Sequence, residues 1–210
     1  MMKQNLSSLS AMSLNKQSKF IYSDEELIKL FQKGDEAAYV ELVNRYKDRL
    51  YNFVYYFLGD SELSEDIVQE TMIKLYQKKH YYKEIAKFST WLYTIARNLA
   101  NTELRKIKRR KITYLSHMTK KETQYDIPAI QESVEQGMNN EFVMNQIEKA
   151  INNLPEHFRL IIILRDIQKL SYDDISEIVS LPLGTVKSRI NRARLQLRVE
   201  LKEIKEYIRS

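Results

Sequence analysis

No cysteine occurs among the 210 residues, which excludes disulfide frameworks, thiolate zinc sites and cysteine nucleophiles together. Glycine and proline are nearly as scarce, at 4 and 3 residues, whereas an all-β chain of this length needs many more turn residues. No stretch approaches the roughly 20 apolar residues that a membrane helix requires. The longest aliphatic run, Leu160 to Leu164, is boxed between Arg159 and Arg165. The first twenty residues are rich in serine and lysine and lack the apolar core of a secretory signal. They read as a frayed N-terminal arm, and a reducing, cytoplasmic setting is expected, without membrane insertion. There is no glycine-rich phosphate loop and no Gly-x-Ser-x-Gly turn. His80, His117 and His157 stand apart, without metal-ligand spacing. Acid pairs such as Asp173 and Asp174 are explained by helix capping rather than by general acid–base work. No active site, cofactor or metal is expected, and the chain is not read as an enzyme.

What the chain does have is charge and helical periodicity. Lys and Arg number 34 against 28 Asp and Glu, a formal charge of +6. The few Gly and Pro residues fall between segments with apolar spacing of three and four. A short helix follows Ser23, which can cap it. A second runs from about Asp35 to Leu58, with Leu42, Tyr46, Leu50, Phe53 and Phe57 inward. A third, after Ser61-Glu62, turns Ile67, Val68, Thr71, Met72, Leu75 and Tyr76 inward. A fourth starts near Ser89 and continues into a basic tail. From about residue 112 to residue 139 the pattern fails, acids outnumber lysines, and a flexible acidic linker is expected. Helical spacing then resumes, with an unusually apolar helix from His157 to Ile167. The expected fold is all-α: two small helical domains, 23–111 and 140–203, joined by that linker, with an arm at 1–22 and a tail at 204–210.

Three segments carry functional signals. Ser171 with Asp174 forms a capping signal ahead of Ile175, Ile178 and Val179, and Ser180-Leu181-Pro182-Leu183 imposes a turn. A second helix then places Val186, Ile190, Ala193 and Leu197 inward, while Lys187, Ser188, Arg189, Asn191, Arg192 and Arg194 occupy its other faces. Two short helices, a tight turn and a basic second helix are what insertion into a major groove requires. The plainer alternative is a solvated cationic face. The second signal is the block Arg105 to Lys111, in which only Ile107 is uncharged. It extends a helix that opens on Phe88, Trp91 and Tyr93. Cations beside exposed rings suit single-stranded nucleic acid, because rings stack on bases while Lys and Arg follow the backbone. The alternative is that Phe88 and Trp91 are core residues. Third, the helix from Ser64 to Lys78 presents Asp66, Gln69, Glu70 and Ile73 outward. That face suits a basic partner helix, or is an ordinary polar surface.

In order, Asp66–Tyr76, Phe88–Asn98, and Leu154–Arg159 with Leu170–Ile175 and Gly184–Arg189 resemble the bacterial sigma-70 family, in its extracytoplasmic-function group. The resemblance spans about Asp24 to Leu201. It implies a sigma region 2 domain, then a region 4 helix-turn-helix domain, and a subunit that directs core RNA polymerase to promoters. By this resemblance Asp66, Gln69, Glu70 and Ile73 dock on the polymerase β′ clamp. Phe88, Trp91, Asn98, Asn101, Arg105, Lys106 and Arg109 belong to the surface that reads and melts the −10 element. Lys187, Ser188, Asn191 and Arg192 face the −35 bases, with Arg189 and Arg194 on phosphates. The implied partners are the polymerase clamp and β flap and promoter DNA, and the resemblance leaves room for an anti-sigma factor.

The chain departs from the family pattern at Ser180 and Lys169, where glycine is usual, and at Ser176, where alanine is usual. A non-glycine residue at positive φ costs on the order of 1–2 kcal/mol, so a variant turn geometry is expected at Ser180. The competing reading is a stand-alone helix-turn-helix regulator, which would need a ligand pocket or dimer helix in its N-terminal half. An interaction protein of the anti-sigma kind would explain the acidic helix but not both basic regions.

Overall fold

In the computed structural model the described residues are 22–118 and 140–202. The expected N-terminal arm up to residue 21, the linker from residue 119 and the C-terminal tail lie outside them. Each early helix is started by a side chain that satisfies its free N–H groups. Ser23 opens α1 (Asp24–Gln32) with a reciprocal box: its hydroxyl accepts the Glu26 N–H at 3.2 Å, and Glu26 accepts the Ser23 N–H at 2.7 Å. Asp35 accepts the Ala37 N–H at 2.9 Å to open α2 (Glu36–Leu58). Gly59 ends α2 at φ 76°, a left-handed conformation that glycine adopts without a Cβ penalty. The next residue, Asp60, caps α3 (Ser61–Lys78) through the Leu63 N–H at 2.9 Å. A single 3-10 turn, Lys79–Tyr81, leads to the long α4 (Phe88–Met118).

These four helices close around aromatic rings. Tyr46, Phe53, Phe57, Phe88 and Tyr93 are fully buried. Tyr46 meets Phe88 edge-on at 5.5 Å and Phe53 meets Tyr93 at 5.4 Å, an arrangement the ring quadrupole favours. The Tyr46 hydroxyl donates to Asp24, whose other oxygen accepts Arg45 at 2.8 Å. Burial, reinforced by Asp24, pushes the Tyr46 phenol up, so it remains a donor.

The second bundle comprises α5 (Asn140–Asn153), α6 (Glu156–Ile162), α7 (Tyr172–Val179) and α8 (Leu183–Glu200). The expected apolar helix over His157–Ile167 breaks at Ile162, and Ile163–Ile167 form a π turn. Its wider pitch aligns the Gln168 N–H with the Ile163 carbonyl at 2.9 Å and the Leu170 N–H with the Leu164 carbonyl at 3.1 Å. Leu160 to Leu164 are all buried. The apolar core runs without interruption from the first bundle into the second, and no strand occurs among the described residues.

Two expectations are corrected here. The fourth helix starts at Phe88 and continues through Met118, so the segment expected as linker from residue 112 is helical for its first seven residues. The turn after α7 is no variant geometry. Ser180 takes the left-handed conformation itself, φ 55° and ψ 48°. Its N–H bonds the Glu177 carbonyl at 3.2 Å, and the Leu181 N–H bonds the Ser176 carbonyl at 3.1 Å, the double closure of a Schellman ending. Ser176, the third departure, adds a bond of its own, donating its hydroxyl to the Leu181 carbonyl at 2.5 Å. Lys169, at φ 60°, is the other non-glycine residue with positive φ among the described residues.

Ser180 is exposed, so its side chain contributes no packing that glycine would lose. Ser180→Gly is expected to stabilise the protein by about 0.5–1 kcal/mol, the strain relieved minus glycine's extra unfolded-state entropy. Urea unfolding monitored by circular dichroism measures this, and an unchanged or lower midpoint contradicts it.

Candidate nucleic-acid interface

Helix α8 divides its faces by chemistry. Val186, Ile190 and Ala193 are buried against the bundle. Lys187, Ser188, Asn191 and Arg192 are exposed on the opposite side, where positions three and four apart form one row. The Ser188 hydroxyl donates to the Thr185 carbonyl at 3.0 Å, leaving its oxygen able to accept. Next to the row, the Tyr172 ring sits under Arg165 at 4.4 Å and under Lys187 at 5.9 Å. Sequence reading missed Arg165 and Tyr172 because the ring meets Arg165 and Lys187 only once the chain has folded back between them. Arg189 is half-buried at the groove between the bundles. Arg194 is corrected: its guanidinium grips Asp166 at 3.0 and 2.5 Å. This two-pronged pair ties α8 to the end of the π turn, so in this arrangement Arg194 is a strut rather than a free phosphate ligand.

Along α4 the expected aromatic surface divides. Phe88 is fully buried, with Tyr46, Tyr82 and Trp91 around it at 5.5, 5.8 and 6.1 Å. Its ring cannot stack on a base, and its expected place in the −10 surface is corrected to the core. Its backbone N–H donates to Glu25 at 3.0 Å, which caps the helix from α1. Trp91 is half-buried against Tyr82 at 5.6 Å. Asn98, Arg105, Lys106 and Arg109 are exposed, whereas Asn101 is half-buried. Lys106 pairs with Glu103 at 2.6 Å, and Lys108 pairs with Glu156 of the second bundle.

Asp66, Gln69, Glu70 and Ile73 share one groove of about 580 Å³ between α3 and α4, whose far wall includes Leu99 and Lys106. Ile73 is 42% exposed, an uncovered aliphatic side chain among polar ones. Glu70 pairs with Lys74 at 2.8 Å. Tyr76, expected inward, is 44% exposed. Its ring lies against Phe31 and Tyr39 at 5.3 and 5.2 Å, while its hydroxyl reaches Glu36 at 3.1 Å.

A helical bundle followed by a helix-turn-helix with a basic, outward second helix defines a two-part DNA-reading protein. Sigma-70 region 2 matches residues 42–110, and Sigma-70, region 4 matches residues 144–197. The ECF RNA polymerase sigma factor SigW of Bacillus subtilis is 38% identical over 181 residues, covering 84% of this chain and 96% of that protein. The ECF RNA polymerase sigma-E factor of Haemophilus influenzae is 34% identical over 176 residues, covering 82% and 92%. Among solved structures, the sigma factor RpoE of Bartonella quintana, in complex with the anti-sigma factor NepR, superposes with a TM-score of 0.60 at 28% identity, covering 77% of this chain and 95% of that one. CnrH, in complex with the cytosolic domain of CnrY, shares the fold with a TM-score of 0.63 at 19% identity, covering 86% and 97%. The chain belongs to the sigma-70 family, in its extracytoplasmic-function group, and is a promoter-directing sigma factor.

The burial of Phe88 yields a direct test. Phe88→Ala is expected to cost about 3–5 kcal/mol of stability through the cavity it leaves. Asn98→Ala, on the exposed side of the same helix, should stay within about 0.5 kcal/mol. A Phe88→Ala variant with wild-type urea stability would return that ring to the surface.

Proposed function

We propose that residues 23–111 form the domain that docks on core RNA polymerase and engages the −10 element, and that residues 140–203 form the domain that reads the −35 element. In this reading the groove of Asp66, Gln69, Glu70 and Ile73 receives the polymerase clamp. Trp91, Asn98, Asn101, Arg105, Lys106 and Arg109 face the −10 strands, with Phe88 acting from the core. Lys187, Ser188, Asn191 and Arg192 read −35 base edges, Arg189 lies to the side toward phosphate, and Arg194 holds α8 in place. The polymerase supplies the catalysis and this chain the specificity, in the cytoplasm. The β flap is a second polymerase contact and an anti-sigma factor a further partner, the latter supported by the relative bound to NepR.

The observation that carries this reading is the division of α8, with three buried apolar residues on one side and an exposed Lys–Ser–Asn–Arg row on the other. Arg and Asn pair bidentately with guanine and adenine edges in the major groove. A stand-alone regulator is not favoured, because a matched region 2 occupies the N-terminal half. Transcription in vitro with core polymerase and a genomic promoter library tests the whole reading. Specific initiation supports it; tight operator binding by the free protein, unaffected by polymerase, overturns it.

Reading and holding separate within α8. Arg192→Ala should cost roughly 1–3 kcal/mol at the preferred −35 sequence and flatten discrimination among base variants. Arg198→Ala, on an exposed flank, should weaken all sequences alike and lower the salt dependence by about one phosphate contact. Transcription from matched −35 variants at two salt concentrations provides both measurements. Equal loss on every promoter after Arg192→Ala would remove it from the base-reading row.

Reversing the docking groove with Asp66→Lys and Glu70→Lys is expected to abolish or sharply reduce co-purification with core polymerase. Both residues are exposed, so stability should change by no more than about 0.5 kcal/mol for each substitution. Unchanged co-purification of this folded variant would make the face an ordinary solvated one.

A further inference from the structure

Between α3 and α4 the chain passes through residues 79–87, and one face of α1 fastens this passage at three points. Glu25, Lys29 and Gln32 stand four and three residues apart, so their side chains share that face. At the near end, Gln32 Nε2 donates to the Lys79 carbonyl at 2.7 Å and to the Tyr82 carbonyl at 3.1 Å. In the middle, Lys29 Nζ pairs with Glu84 at 2.5 Å. At the far end, Glu25 accepts the Phe88 N–H at 3.0 Å. The loop adds a bond of its own, from the Tyr82 hydroxyl to the Ala86 carbonyl at 3.0 Å. The Tyr82 ring is buried against Phe88 and Trp91, at 5.8 and 5.6 Å.

This fastening leaves two large apolar side chains facing outward. Tyr81 is 76% exposed, and Ile85, at 89%, is the most exposed large apolar side chain among the described residues. Lys78, His80 and Lys83 are exposed beside them. The one carboxylate within residues 79–87, that of Glu84, is already held by Lys29. An outward ring and a branched aliphatic group among cations suit the faces of unstacked bases, whose phosphates the cations follow. A loop that must order itself as a strand arrives loses affinity to that ordering. Here α1 supplies the order beforehand. A held shape also separates one base from another, whereas a loose loop repacks around any of them.

We propose that Glu25, Lys29 and Gln32 of α1 are positioning residues for promoter reading, which hold residues 79–87 in the shape through which Tyr81 and Ile85 discriminate among unpaired −10 bases. This rests on the assignment of α4 to the −10 element made above, since the loop leads directly into the start of that helix. Glu25 and Gln32 are half-buried, and their polar atoms are engaged by the loop backbone. Their influence reaches DNA only through that backbone. Loss of a positioning bond therefore reduces discrimination between bases. It leaves the proposed polymerase groove intact, because that groove is built from α3 and the part of α4 beyond Leu99.

Trp91 is the only tryptophan of the chain and lies against Tyr82, so its emission in the full-length protein reports the loop. Gln32→Met keeps the size of the side chain and removes both donors. It is expected to shift Trp91 emission to the red and to increase quenching by acrylamide. Initiation with core polymerase is then compared between a promoter that the wild type uses and versions changed at single −10 or −35 bases. Gln32→Met should narrow the −10 ratios about three- to tenfold and leave the −35 ratios as in the wild type. Gln32→Lys, which returns a donor, should recover most of the −10 ratio. Tyr81→Ala should narrow it with Trp91 emission unchanged. Lys29→Met acts on the same loop from an exposed site, and it decides the matter if circular dichroism shows Gln32→Met unfolded. Equal loss on every promoter overturns the positioning role, and so does a loosened loop with the −10 ratios intact. A wild type that does not initiate with core polymerase overturns the sigma reading and this role with it, while Trp91 still shows whether α1 holds the loop. A selective wild type beside equally selective Gln32→Met and Lys29→Met variants overturns the positioning role alone.

Discussion

Helix α4 has one period and four obligations. Every 3.6 residues it must return an apolar side chain to the first bundle, and Phe88, Leu92, Tyr93, Ala96 and Ala100 do so with complete burial. What remains of its circumference is divided among the groove with α3, the exposed row of Asn98, Arg105 and Arg109, and the edge under α7. These faces are fixed relative to one another by the helix itself, so no one of them moves alone. Small Ala96 and Ala100 fill the later inward positions, and the large rings Phe88 and Tyr93 fill earlier ones, where Tyr46 and Phe53 of α2 meet them. A ring deleted there loosens the axis on which the other faces are mounted.

The second bundle accepts backbone strain to place its reading helix. Lys169 and Ser180 both take positive φ, at on the order of 1–2 kcal/mol each. Each sits where the chain must reverse sharply, before α7 and after it. Local bonds offset the cost: the Arg165 guanidinium donates to the Leu170 carbonyl at 2.6 Å, and Ser176 closes the turn at Leu181. Arg194 then fixes α8 from the far side through Asp166. A recognition helix held at its turn and along its shaft presents a fixed row of side chains, which is what paired hydrogen bonds to base edges demand.

Features acting within one helical turn were legible in the amino-acid sequence. Ser23 before α1 and Ser171 with Asp174 before α7 read as caps in the sequence, and each serine accepts an N–H three residues on, as its residue type dictates. The inner faces of α2 and α8 follow from spacing for the same reason. Phe88 does not. Whether a ring at a helix start turns inward depends on Tyr46 and Tyr82, which arrive from other elements. Arg194 reads as a cation for phosphate until Asp166, 28 residues earlier, is brought against it. The π turn at Ile163–Ile167 has no spacing signal of its own, since its first two residues only continue the apolar run from Leu160. Asp174 is the clearest case. Its cap is local and legible, while its bond to Lys87 spans 87 residues and exists only once the bundles meet.

Counting cations along the chain overstates the charge that DNA meets at once. In the Arg105–Lys111 block, Lys106 already pairs with Glu103, and Lys108 with Glu156 across the seam. Both lysines are about half exposed, so these pairs are weak and a phosphate can displace either carboxylate at little cost. Displacing Glu156 also removes one tie between the bundles. On the proposed assignment of α4 to the −10 strands, a phosphate held by Lys108 would take the place of its ion pair with Glu156. Arg194 behaves oppositely, because its two-pronged grip on Asp166 is harder to exchange and lies away from the seam. The same positive charge thus serves as an exchangeable tie on α4 and as a fixed brace on α8, with carboxylate geometry and exposure deciding which.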